Sequence, residues 1–255
     1  MGARWLALAA TVVAGRPGKT PLDCTFLSIQ PRRIVSWGVR EAAAGVVLGF
    51  LALVILAVAG ILAGSRFLPS WTAAFRGLLL AVSELGLLVG PWLVVLRRRR
   101  ATWHDLGLRP FNAVVGCLAA SAALIVVLVG SVAWGLVLQR LGWRGQPSVR
   151  DLFGPGWQGL ALAVLAVVGV APVAEEVLFR GLVFPALRQR WGLCLGAGVS
   201  SLLFAAFHLS PASLPSLFFT GLILSLVCHY CDSLWPALWL HMGVNLMAVL
   251  AAYLV

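Results

Sequence analysis

Charge is what this sequence has least of, and acid least of all. Only 11% of its 255 residues are Asp, Glu, Lys or Arg, and 8 acidic residues stand against 19 basic ones. A soluble globular domain carries about 25% charged and roughly 45–50% apolar residues. Here the apolar share is 61% and the mean hydropathy +0.99, so a polytopic membrane protein is expected. Apolar runs extend from near Glu41 to the C-terminus, which leaves little room for a separate soluble domain. No internal repeat is evident, which argues against transporters built from duplicated halves. No H-E-x-x-H occurs, so that helical zinc signature is missing. The net charge of +11 does not point to nucleic acid, because the Arg residues sit in short segments between apolar runs, as topology anchors do.

What is present are seven apolar spans, at about 41–63, 77–96, 112–138, 158–179, 193–209, 213–230 and 235–255. Each comes near the ~20 residues a helix needs to cross, except the short fifth and sixth. The expected fold class is all-α, a polytopic transmembrane helix bundle occupying residues 41–255. Residues 1–40 stay open: Trp5 to Ala14 is apolar but too short to span, and no clear signal-peptide cleavage site follows. Arg and Lys concentrate before the first span and in alternate loops, which places the N-terminus in the cytoplasm with Arg97-Arg98-Arg99-Arg100 as the strongest anchor. A solvated anchor is favoured over a lipid-binding role for that run. Gly45/Gly49, Gly60/Gly64 and Gly86/Gly90 have the spacing of close helix contacts. Cys228-His229-Tyr230-Cys231 has no second pair near it, so packing is favoured over a metal or redox role. Glu84, inside the second span, either pairs with an Arg or lines a cavity.

The chemistry concentrates between Ala171 and Leu182, A-P-V-A-E-E-V-L-F-R-G-L, inside an otherwise apolar run. Intramembrane carboxylates cost a few kcal/mol and are functional by default. Positions i and i+4 share a helix face, whereas neighbours point about 100° apart. Glu176 and Arg180 therefore read as a buried pair that leaves Glu175 free to act as a base. Phe204/His208 and His241/Asn245 are two more i, i+4 pairs in later spans. With a turn near Trp191-Gly192, the Glu pair and His208 fall at similar depth, and an overhanging fourth helix would bring the site toward the Arg-rich, cytoplasmic side. Pro172 and Pro185 bracket the Glu pair; they either open a wet pocket or are ordinary packing kinks.

Glu175-Glu176-x-x-x-Arg180, Phe204-x-x-x-His208 and His241-x-x-x-Asn245 resemble the three ordered motifs of the CPBP family, the CAAX-protease and bacteriocin-processing membrane proteins. The resemblance covers about residues 155–255 and implies a core of about eight membrane helices, so seven to eight are expected. It implies an intramembrane endopeptidase acting on a membrane-associated, hydrophobic or lipidated peptide. Glu175 and His208 would activate water, His241 and Asn245 would stabilise the oxyanion, and Glu176, Arg180 and Phe204 would support them. A metal-free mechanism is favoured; if zinc is used, Glu175, His208 and His241 are its ligands. The expected setting is a multi-pass membrane location in the lipid bilayer, with no nucleic-acid partner. Two rivals stay open: a non-catalytic immunity or scaffold protein of the same fold, and a proton-coupled transporter.

Overall fold

The structure is a computed structural model that describes residues 34–67, 73–143, 145–146 and 148–254. The expectations for residues 1–33, including the Trp5–Ala14 run, lie outside the described residues. No strand occurs among the described residues, and six helical segments are long and apolar enough to cross a membrane. Helix α1 is Val39–Phe67. Helix α2 is Ala73–Leu85, and its path continues through a 3-10 turn (Gly86–Leu88) to a π-helical stretch at Trp92–Arg98. Helix α3 is Ala113–Leu141, begun by the Asn112 side chain accepting from the Val115 N–H at 3.1 Å and ended by Gly142 at φ 67°. The short α4 is Val149–Phe153.

The next segment, Gly156–Phe207, is 52 residues long, and it covers two of the expected spans. Gly192, at φ 83° and ψ 177°, breaks it into two arms, α5 (156–191) and α6 (193–207). That φ is open to glycine and strained for other residues. The arms fold back on one another: Ser200 donates to the Phe179 carbonyl at 3.3 Å, and the Phe179 and Phe204 rings meet edge-on at 5.5 Å. The count of six takes this bent segment as one; its two antiparallel arms correspond to the expected spans 158–179 and 193–209. Helices α7 (Leu214–Cys231) and α8 (Leu234–Leu254) complete the bundle. An all-α, multi-pass integral membrane protein results.

Burial separates the core from the rim. Of the most apolar window of Gly156–Phe207, 44% is buried inside the protein, against 6% for α1. The Phe75–Arg98 segment is buried to the same 44%, so these two segments form the interior of the bundle and α1 presents most of its surface outward. Small residues let α1 and α2 approach closely. A Cβ on Gly90 would overlap the Gly45 carbonyl, Gly49 lies against the Leu87 backbone, and Gly86 lies against that of Leu53. Without a hydrophobic drive between helices in lipid, such backbone contact is a main source of association.

The two prolines act on α5 as their chemistry requires. Each removes an N–H and crowds the carbonyl four residues back. The π-helical stretches Val164–Val170 and Val177–Val183 stand immediately upstream of Pro172 and Pro185, widening the helix where those bonds are lost. One carbonyl in the second stretch, Leu182, accepts from the Trp37 indole at 3.0 Å. Between the two widened turns lies the regular turn Ala171–Glu176, which carries both glutamates.

Candidate active site

Glu175 and Glu176 leave α5 in different directions, and their surroundings differ accordingly. Glu176 is fully buried, and its Oε1 accepts from Arg180 Nη1 at 2.9 Å and from His241 Nδ1 at 2.8 Å. Arg180, also fully buried, uses Nη2 to donate to the Gly221 carbonyl at 3.1 Å. Arg180 also lies 4.3 Å above the Phe204 ring. A second hydrogen bond and an aromatic face offset part of the desolvation of this ion pair, while Glu176 Oε2 and Arg180 Nε have no hydrogen-bond partner among the described residues. Glu175 instead keeps 14% of its side chain exposed, and its one ion-pair contact among the described residues is His241, whose Nε2 is 3.6 Å from Oε2.

His208 closes the C-terminal end of α6, where its Nδ1 lies 2.9 Å from the Phe204 carbonyl. A carbonyl only accepts, so Nδ1 carries the hydrogen, and in the neutral ring Nε2 holds the lone pair. The Phe204 ring stands between the two histidines, with centroids 4.8 Å from His208 and 5.7 Å from His241. Asn245 spends one amide hydrogen on the Val167 carbonyl at 2.8 Å, in the first widened turn of α5. Its second amide hydrogen has no such tie.

These groups share one cavity of about 660 Å³. Glu175, Phe204, His208, His241 and Asn245 all line it, together with Glu84 from α2, whereas Glu176 and Arg180 lie behind its wall. Glu84 is thus a cavity residue rather than the partner of an Arg, and its Oε2 has no hydrogen-bond partner among the described residues. The cavity is walled by the α3–α5 connection, including Gln146, and by 209–212 after α6, and it reaches the surface at exposed Gln146 and Leu209. Those connections lie at the end of the bundle opposite Arg97–Arg100. The sequence placed the site toward the Arg-rich side, whereas the cavity that holds these residues has its mouth at the other end of the bundle.

The candidate zinc set does not fit this arrangement. Among the described residues no group of three or more His, Cys, Asp or Glu side chains is placed to hold a metal. Both histidines already commit Nδ1, to Phe204 and to Glu176.

Residues 157–247 match the family described as type II CAAX prenyl endopeptidase Rce1-like. This likeness supports a place in the CPBP family for that part of the chain. The match runs from the first turn of α5 to Met247 in α8, so the matched region contains both glutamates, both cavity histidines and Asn245. An uncharacterized 24.3 kDa protein of Escherichia coli is 33% identical over 134 residues, which make up 50% of this chain and 60% of that protein. No solved structure matches. Two partners of the CPBP constellation have no side-chain signal in the sequence: the carbonyls of Gly221 and Val167, which any residue type could supply.

Proposed function

We propose that the protein is an intramembrane endopeptidase that hydrolyses a peptide bond of a membrane-associated substrate by activated water. The observation that carries this reading is the convergence of Glu175, His208, His241 and Asn245 on one cavity enclosed by membrane helices. A hydrolytic site in a bilayer needs such a water-holding space, and irregular backbone at that depth is tolerated where it lines one.

In the proposed reaction a water between Glu175 and His208 attacks the scissile carbonyl. Glu175 takes its proton, with the lone pair on His208 Nε2 orienting it. The carbonyl oxygen becomes an oxyanion facing Asn245 and His241. Asn245 offers its second amide hydrogen. His241, its Nδ1–H held by Glu176, would face the oxyanion through Nε2–H in its imidazolium form. Collapse of the intermediate breaks the C–N bond, and the proton held by Glu175 passes to the leaving amine. The products are a carboxylate chain end and a free amine, with water as the only co-reactant.

The likeness of residues 157–247 to type II CAAX prenyl endopeptidases supports a hydrophobic or lipidated peptide as substrate, with a prenylated C-terminus as the first candidate. Purified protein in detergent, given fluorogenic prenylated and plain hydrophobic peptides, tests the reading. Cleavage lost in both Glu175→Ala and His208→Ala supports it, and cleavage surviving both substitutions overturns it. A scaffold of the same fold would cleave nothing and would lose no cellular activity on Glu175→Ala.

A further inference from the structure

At the Arg-rich end, α1 and α5 enclose a second cavity of about 420 Å³, lined by Gly38, Arg40, Glu41, Ala186, Gln189 and Arg190. Its polar groups are mostly committed. Glu41 is paired with Arg99 and accepts from the Gly38 N–H at 3.0 Å, and the Gln189 Oε1 accepts from the Val35 N–H at 2.9 Å. Arg40 and Arg190 are the exceptions: both are exposed, and neither makes a hydrogen bond or ion pair among the described residues. Two free guanidinia thus share a concave surface whose one carboxylate is already neutralised.

Its level in the membrane identifies the occupant. The apolar window of α1 begins at Val39, and that of α2 ends at Arg98, so the cavity lies at the boundary between hydrocarbon and water. Below Arg40, on the same face of α1, runs an exposed apolar stripe of Val47, Leu51, Ile55, Val58 and Leu62. The spacing of seven, then four, four, three and four keeps these residues beneath Arg40.

We propose that Arg40 and Arg190 form a binding site for the phosphate headgroup of an anionic phospholipid, whose acyl chain lies along the Val47–Leu51–Ile55 stripe. Guanidinium matches phosphate oxygens in a bidentate way. The stripe distinguishes a lipid from free phosphate, which would use the two cations and leave the apolar face untouched. The site is separate from the catalytic cavity and does not depend on the protease reading.

The test is native mass spectrometry of the purified full chain with phosphatidylglycerol, phosphatidylcholine or inorganic phosphate, alongside thermal unfolding with the same additives. Phosphatidylglycerol is expected to be retained and to raise the unfolding temperature, while phosphatidylcholine and inorganic phosphate do neither. R40Q/R190Q is expected to weaken phosphatidylglycerol binding roughly thirtyfold, a factor of about five per guanidinium. R98Q/R100Q, which removes two exposed charges outside the cavity, is expected to weaken it by about twofold at most. If the double variant fails to fold, R190Q alone is expected to lose about fivefold. Equal losses in the two double variants would reduce the effect to diffuse surface charge and overturn the site. Unchanged binding after Arg40 and Arg190 are replaced, or equal retention of phosphatidylcholine, also overturns it. Inorganic phosphate competing at the same concentration overturns the lipid assignment.

Discussion

His241 and Glu176 are joined by a 2.8 Å hydrogen bond from Nδ1 to Oε1, although 65 residues separate them in the chain. This contact fixes the imidazole ring so that Nε2 faces Glu175. It also makes Glu176 a shared acceptor for a cation on its own helix and a histidine on α8. The two glutamates consequently sit differently, Glu176 tied to Arg180 and His241 and Glu175 facing the cavity, and the following expectations separate them.

Replacing Arg180 with Ala strands Glu176 in a fully buried position. Breaking a buried pair in this way costs about 3–5 kcal/mol. The loss is read as a drop in unfolding midpoint in detergent. Arg180→Lys is expected to recover only part of it, because one ammonium group cannot reproduce the separate Nη1 and Nη2 contacts to Glu176 and Gly221.

Glu175→Gln should behave in the opposite way. Its carboxylate meets the cavity and one imidazole at 3.6 Å, so the unfolding midpoint is expected to stay within that of a surface-like change, about 0.5 kcal/mol. Cleavage of the best fluorogenic peptide is expected to fall by about 10²–10⁴-fold. A variant that lost stability and activity together would speak for a structural role instead.

Asn245→Ala is expected to lower kcat by about 10²–10³-fold while leaving KM nearly unchanged, as removal of an oxyanion donor does. A rise in KM with kcat preserved would assign Asn245 to substrate binding. The Val167 carbonyl also loses its partner in this variant, so an unfolding measurement belongs beside the kinetics.

Chelator treatment is expected to leave cleavage intact, because no three ligands converge among the described residues. Loss of activity with chelator and recovery with zinc would contradict this.

Gly90→Ala should separate α1 from α2. Its Cβ would meet the Gly45 carbonyl, a backbone atom that cannot step aside. Overpacking of this kind costs about 1–3 kcal/mol. The position of the cavity mouth is checked in the same helical frame. Gln146→Cys and Arg98→Cys are expected to react with a membrane-impermeant maleimide from opposite faces of a sealed vesicle. Labelling of both from one face would refute the placement of the mouth away from the Arg-rich end.

By itself the sequence determined the class of fold and the local pairs. Apolar runs of about twenty residues dictate membrane helices because unpaired backbone is excluded from hydrocarbon. The i, i+4 spacing alone puts Glu176 with Arg180, Phe204 with His208, and His241 with Asn245 on common faces, since helix geometry is local. Gly45, Gly49, Gly86 and Gly90 could be read as contact residues for the same reason. The turn expected near Trp191-Gly192 falls at Gly192, whose φ of 83° suits a residue without a Cβ. Which contacts such residues make was decided elsewhere. The ring of His241 meets Glu176, Glu84 lines the cavity, and the mouth opens away from the Arg run because of how α2, α5 and α8 pack side by side. Such packing depends on shape between segments distant in the chain, and only the tertiary structure holds it.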